Sequence, residues 1–364
     1  MSKIVDIKVR VLEIPLKTPW QTFLYATATR AHCVVQIVTE DGILGYGEAS
    51  PAAAFMGETA YTMETVINRY LKPVAAGRSV FEISRINDLM DHAIAGNTSA
   101  KAAVDIGIHD AAGKTLKVPV YVLLGGKCRE QAELAWSMGF KDFDASLEEA
   151  REYIRMGFKV MKVKVGKNLA EDTKLVGTLR DIFGPDVPLR MDANQGYAPA
   201  EAIALLNRVA RFNPESFEQP VKKWNLEGMR HVRDHSHSVP IMADESISSL
   251  QEAHNAIQAG AADYYNIKVG KVGGLYRACQ VAALVEASGF QAAAGSNLEL
   301  GIGEAASVHF ILSQPAVCLP SDALCGTGLH TENLVKNPMR MEGGVLSCPE
   351  VPGLGVEVDE EIFR

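Results

Sequence analysis

The chain has 364 residues, 47% of them hydrophobic and 22% charged, with a net charge of −8 and a pI near 5.7. That balance excludes disorder, whose signature is low apolar content, and it disfavours nucleic acid and anionic lipid as partners, because both want a basic surface. No apolar run approaches the roughly 20 residues that span a bilayer, so a cytoplasmic protein without membrane association is expected, and the length suggests two domains.

The chain starts Met1-Ser2-Lys3-Ile4-Val5-Asp6-Ile7-Lys8-Val9-Arg10, an alternation that reads as a first strand and not as the apolar core of a signal peptide. Strands are predicted over Ile4 to Ile14 and Cys33 to Thr39, with Asp41-Gly42 turning a hairpin into Ile43 to Gly47. Two linkers stand out, the aromatic-rich Thr18 to Ala26 and, after the hairpin, Ala52 to Gly57. Helical periodicity follows over Thr59 to Val74, Phe81 to Ile94 and Ser99 to Leu116, the last after the capping residues Asn97-Thr98 and before Pro119. Strands then helices in one block predict an α+β domain over 1–130.

From Gln131 the texture changes. Short β-rich runs at 132–137, 159–165, 187–192, 215–219, 239–243, 263–268, 290–295 and 317–321 alternate with helical segments such as Ser146 to Met156, Ala198 to Ala210 and Leu250 to Ala259. Such alternation implies parallel pairing, which closes into an α/β barrel over 131–324. A doubly wound open sheet is the alternative, but no strand is followed by a G-x-G-x-x-G turn. After Asp322 come short strands and turns, Gly343 to Ser347 and Pro352 to Val358, expected to return over 325–364 to the first domain.

Six cysteines at 33, 128, 279, 318, 325 and 348 form no C-x-x-C pair, which fits free thiols in a reducing compartment. His231, His235 and His237 cluster before Pro240. No Cys or carboxylate completes a metal set there, so they read as the wet end of a helix.

The chemistry lies elsewhere. In Lys159-Val-Met-Lys162-Val-Lys164-Val-Gly166 the period of two puts Lys162 and Lys164 on one face of a strand. Alone, this is a wet edge strand. But Asp192 follows 28 residues later, Glu218 26 after that, Asp244 another 26 and Lys268 another 24, each at a strand end and each about one βα unit apart. All five then project from the C-terminal rim, where barrel active sites are built. Asn194 shares the face of Asp192, Asn266 that of Lys268, and of the adjacent acids Asp244 and Glu245 only one is expected to face the axis. Three carboxylates at one barrel mouth would repel unless a cation neutralised them. An all-oxygen set selects a hard ion, Mg²⁺ or Mn²⁺, over Zn²⁺. Lysines on both sides suit proton abstraction beside a carboxylate, provided a pKa falls toward ~7–8, which burial and a neighbour such as Lys162 would achieve.

At these residues the chain resembles the enolase superfamily, in its muconate lactonizing enzyme subgroup. The matches are Lys162-Val-Lys164, Asp192-Ala-Asn194-Gln-Gly, Glu218-Gln-Pro, Asp244-Glu-Ser, Asn266-Ile-Lys268, Gly295 to Gly303 and Asn97 to Ala103. The resemblance implies a modified TIM barrel, (β/α)₇β, with an N-terminal α+β capping domain completed by the C-terminal tail. It implies Mg²⁺ on Asp192, Glu218 and Asp244, with Lys164 and Lys268 as the acid/base pair. Lys162, Asn194, Glu245, Asn266, Ser137, Glu299 and Asp322 fall at supporting or substrate-contacting positions. Phe23, Tyr25 and Phe55 fall on the substrate-selecting lid, where packing between the domains is the competing role. The partner implied is a small carboxylate substrate, and the assembly a homo-oligomer.

The reaction implied is isomerisation through an enediolate, by a muconate cycloisomerase or by a racemase or epimerase of an N-acyl amino acid, proline derivative or similar carboxylate. Lys268 stands where a mandelate racemase type would carry a histidine after its sixth strand. Ser321-Asp322-Ala323 has one acid where dipeptide epimerases show D-x-D. A dipeptide epimerase or an o-succinylbenzoate synthase-like lyase is therefore the alternative, and a Schiff-base aldolase or a non-catalytic binding protein a distant one.

Overall fold

A computed structural model describes residues 2–323 and 326–363. Ile4–Gln21 (β1) pairs antiparallel with Ala26–Thr39 (β2), and β2 with Leu44–Ala49 (β3). Both first strands run well beyond their predicted ends. The aromatic linker is the far tip of the β1–β2 ribbon, resuming after a register shift between Pro15 and Trp20, with Trp20 opposite Thr27. β-Branched threonines at 27 and 29 favour that extension.

Alternation on β2 divides two cores. Cys33, Val35 and Ile37 join one cluster with helical residues such as Met63, Ile67 and Val104, while Val34 belongs to the cluster that fills the barrel. The helix Thr98–Leu116 keeps its predicted limits, but Asn97 does not cap it: Ser99 N and Ala100 N donate instead to Glu58, at 2.9 and 3.1 Å. Residues 99–113 are all buried. It lies so close to β3 that a Cβ on Gly47 would stand 1.9 Å from the carbonyl oxygen of Ala103, and one on Gly45 2.3 Å from that of Gly107. The predicted helix over 59–74 is instead broken by a π-turn at Ile67–Leu71, just ahead of Pro73, which has no N–H to give.

Seven parallel strands follow: Ala135–Met138 (β5), after the short Ala132–Glu133 (β4), then Val160–Lys164 (β6), Leu189–Asp192 (β7), Ser216–Glu218 (β8), Ile241–Ala243 (β9), Tyr264–Ile267 (β10) and Gln291–Ala294 (β11). Their order is sequential from β5 to β11. The eighth predicted strand, 317–321, has no regular ladder, yet it closes the ring. Leu319 N and Asp322 N donate to Ala292 O and Ala294 O on β11, and Ala135 N on β5 donates to Ser321 O.

The tail forms a hairpin, Arg340–Glu342 (β12) and Val345–Ser347 (β13), turning on Gly343-Gly344 at φ +59° and +76°, a backbone only glycine adopts easily. β13 pairs with β4, so the tail touches the strand that leads into the barrel as well as the N-terminal part. The contacts to the latter include Val120 N to Gly353 O (2.9 Å), Leu354 N to Asp110 Oδ1 (2.8 Å) and Thr331 N to Pro15 O (3.0 Å). The expected boundary between 324 and 325 lies outside the described residues.

Two buried acids tie the halves together at helix starts, where backbone N–H groups lack intrahelical partners. Glu48 on β3 accepts from Leu300 N (2.6 Å) and Gly303 N (2.9 Å) at the start of helix Gly301–Ser313. Asp105 accepts from Tyr276 N (3.2 Å) at the start of Leu275–Ala287. Among the described residues no helix is long and apolar enough to cross a membrane, and the five described cysteines are free thiols.

Candidate active site

The strand ends bring the predicted residues together. Lys164 closes β6, Asp192 β7 and Glu218 β8, with their Cα positions paired in register across the sheet. Asp244 follows β9 and Lys268 follows β10. All five are buried, as are Lys162, Asn194, Glu245, Asn266 and Glu299, while Ser137 and Asp322 are half-buried. One cavity is lined by Lys162, Lys164, Asp192, Asn194, Lys268, Ser137 and Asp322, and its roof by Trp20, Leu24, Tyr25 and Phe55.

Two placements differ from expectation, one from strand alternation and one from the family resemblance. Glu245 is as buried as Asp244, because β9 ends at Ala243 and the next residues bend. Both acids therefore turn inward, and Glu245 Oε1 accepts from Asn194 Nδ2 at 3.1 Å. Phe23 does not line the cavity. It is 42% exposed and sits over the Gly166 and Gly196 turns, under the Lys222 ammonium.

Each central carboxylate is engaged by a lysine. Lys164 Nζ lies 2.5 Å from Asp192 Oδ2, Lys268 Nζ 2.7 Å from Asp244 Oδ2, and Lys162 Nζ 3.1 Å from Glu218 Oε2 while also bonding Asp322. Asn266 Nδ2 donates to Glu218 Oε1 at 2.8 Å. A lysine that the sequence reading missed sits beneath. Lys271, with no solvent exposure, donates to Asp244 Oδ1 at 2.7 Å. It belongs to a single helical turn after Lys268, so strand periodicity could not find it, although the i, i+3 spacing from Lys268 is the signal that would have.

Burial penalises every charge here, and neighbours decide the direction. Burial pushes Lys162 and Lys268 down, but Asp322, Glu218 and Asp192 hold Lys162 well above the lysine range, and Asp244 with Glu245 does the same for Lys268. At Lys268 the carboxylates touch the ammonium directly and outweigh burial. Burial lowers Lys271 despite Asp244. Burial, with Asp192 and Asp244 nearby, raises Glu218 to about 8 even beside Lys162. Glu245 rises to about 7 by burial and the charges of Asp244 and Asp192, and Glu299 to about 7 chiefly by burial. Against burial, Lys164 and Lys162 lower Asp192, and Lys268 and Lys271 lower Asp244.

The backbone is tight at the same rim. Asn194, Gln195 and Gln219 hold φ of +41°, +69° and +36°, conformations costly for residues other than glycine and concentrated at functional sites. Gln219 binds the strand ends to one another, its Oε1 accepting from Asp244 N (3.0 Å) and Ser246 N (3.1 Å) and its Nε2 donating to Ser246 Oγ (2.8 Å).

Drawn toward the lysines, no three His, Cys, Asp or Glu side chains among the described residues stand close enough to hold a metal ion. The chemistry of the donor set nevertheless fits a hard divalent cation. Asp192, Glu218, Asp244, Glu245, Glu299 and Asp322 supply six acids against four lysines, Lys162, Lys164, Lys268 and Lys271, so full ionisation leaves two negative charges uncompensated. Buried Asn194 Oδ1, Glu245 Oε2 and Asn266 Oδ1 also find no hydrogen-bond partner among the described residues.

Residues 4–125 match the mandelate racemase/muconate lactonizing enzyme N-terminal domain, and 145–362 the enolase C-terminal domain-like family. The chain belongs to the mandelate racemase/muconate lactonizing enzyme family of the enolase superfamily. It is 34% identical to an L-Ala-D/L-Glu epimerase of Clostridium acetobutylicum, over 97% of this chain and 98% of that protein. A muconate lactonizing enzyme from Pseudomonas fluorescens, complexed with muconolactone, superposes with a TM-score of 0.95 at 29% identity, covering 100% and 98% of the two chains. A dipeptide epimerase from Enterococcus faecalis, complexed with Mg and L-Leu-L-Tyr, superposes with a TM-score of 0.92 at 31% identity over 98% and 99%. The fold is the capped TIM barrel of that superfamily, and the protein is an isomerase of its cycloisomerase and racemase/epimerase kind.

Proposed function

We propose that the protein isomerises a small carboxylate by moving the proton α to the carboxyl group, with Lys164 and Lys268 as the acid/base pair. The observation that carries this is their placement. Both line one cavity, and the strands bearing Asp192, Glu218 and Asp244 stand between theirs. Asp192, Glu218 and Asp244 would hold Mg²⁺, exchanging lysine partners for the ion. When bound, Mg²⁺ supplies neutralisation of the charge that develops on the substrate's carboxylate oxygens. Release from Asp192 or Asp244 would leave a lysine buried beside fewer carboxylates, which favours its neutral form. One lysine then takes the α-proton, and the other returns a proton to the opposite face or stands by while a ring closes or opens. Residues 1–130 and 325–364 would act as the cap over the barrel 131–324, with Tyr25 and Phe55 selecting from the roof.

For the substrate, Lys162 bonds the one acid of the 321–323 segment, Asp322, and Ser321 Oγ accepts from Ala294 N. A free ammonium is poorly served there, which favours an N-acylated or nitrogen-free carboxylate. The 34% identity to a dipeptide epimerase keeps dipeptides as the second reading. A panel of muconates, N-acyl amino acids, proline derivatives and dipeptides, followed by polarimetry and by deuterium uptake from solvent, tests both. Uptake at the α-carbon of one class identifies the substrate, and no uptake in any class with Mg²⁺ present counts against the proposal.

A further inference from the structure

We propose that Lys223 is a positioning residue that latches the second lid loop to the catalytic strand ends. The proposal rests on the lid reading above, and it is tested without substrate so that the two can fail separately. Phe55 belongs to a one-turn helix, Ala53–Met56, whose last carbonyls have no intrahelical donor. Lys223 Nζ donates to Phe55 O at 2.7 Å. A cation suits that position, because the C-terminal end of a helix carries partial negative charge.

What makes this contact a latch is how the lysine's own backbone is held. Lys223 N donates to Gln195 Oε1 at 3.0 Å, in the turn after Asp192. Lys223 O accepts from Ser246 Oγ at 3.0 Å, two residues beyond Asp244. Ser246 is in turn fastened to Gln219, which follows Glu218. Lys223 is thus pinned to three strand ends, and its side chain reaches across to the roof. Its neighbour Lys222 lies 5.1 Å over the ring of Phe23 in the first lid loop, so adjacent lysines hold both loops. The ring held in place matters chemically. Phe55 lines the cavity and lies 5.8 Å from Lys268 Nζ, so the latch keeps an apolar cover on an acid/base lysine and excludes water from it.

Amide hydrogen exchange on the full-length protein, with no substrate added, tests the latch through Lys223→Met, which keeps the apolar stem. Losing a hydrogen bond to a charged donor should speed exchange over 53–57 roughly tenfold, while strand amides at 216–218 and 241–243 keep their wild-type rates. Lys223→Arg, which retains a charged donor, should restore slow exchange over 53–57. Unchanged exchange over 53–57 in Lys223→Met, equal acceleration of lid and strands, or no recovery in Lys223→Arg would each overturn the proposal.

Discussion

Lys164 Nζ stands 2.5 Å from Asp192 Oδ2, so a proposed base and a proposed metal ligand share one ion pair across adjacent strands. The pair cannot serve both roles at once. If Asp192 turned to a bound cation, Lys164 would lose its partner, and metal binding would be the event that frees the proposed base. The same logic links Lys268 to Asp244.

Removing either lysine should therefore silence one face of the reaction. Lys164→Ala and Lys268→Ala should each lower kcat by roughly 10³-fold. Proton NMR in D₂O should show exchange surviving with only one enantiomer or epimer in each variant, and of opposite hand. Full activity in both variants would refute the assignment of the pair.

Metal binding should be visible without turnover. Titration calorimetry should show one Mg²⁺ per chain, and Mg²⁺ at 100 times Kd should stabilise the fold by about 2.7 kcal/mol, read as a rise in Tm that EDTA reverses. Glu218→Gln should weaken binding at least tenfold, since it replaces a charged oxygen with a neutral one. If Glu218→Gln binds Mg²⁺ as tightly as wild type, Glu218 is not a ligand.

The contact between β3 and helix Thr98–Leu116 leaves no space at Gly47. Gly47→Ala should cost roughly 3 kcal/mol of stability, measured by urea denaturation, because the added Cβ meets the backbone oxygen of Ala103 at 1.9 Å. A loss within experimental error would mean that the strand and helix can separate freely.

His309 should set part of the acid limit. It is fully buried, Nδ1 accepts from Tyr121 N at 3.1 Å, and Nε2 faces Leu354 O at 3.1 Å. Burial lowers its pKa from 6.5 to about 4. Below pH 6.5 the unfolded chain takes up the proton first, so stability present above 6.5 drains away as pH falls toward 4, by about 3 kcal/mol. His309→Gln, which can still accept and donate, should flatten that part of the stability profile. An unchanged slope would assign the acid sensitivity elsewhere.

The rim that gathers these residues was legible in sequence because its two rules are local. A period of two along a strand put Lys162 with Lys164, and the length of a βα unit set Asp192, Glu218, Asp244 and Lys268 at matching heights. What escaped depends on long-range contact or on irregular backbone. Lys271 lies on a helical turn, Glu245 turns inward only because β9 stops at Ala243, and residues 317–321 close the barrel by hydrogen bonds to two neighbours without a strand's regularity. Glu48 and Asp105 look like ordinary polar residues until backbone 252 and 171 residues away is brought to them.

Those two acids also bear on how such a protein can change over generations. Each sits on one half and completes the start of a helix in the other, so neither half presents a finished surface alone. Exchanging the whole roof for a relative's would leave helix ends bare and would be felt in folding before it was felt in catalysis. The roof depends on the barrel in turn, since Phe55 sits on a one-turn helix whose end is completed by Lys223. A substitution at one of these junctions is therefore a change to both halves at once.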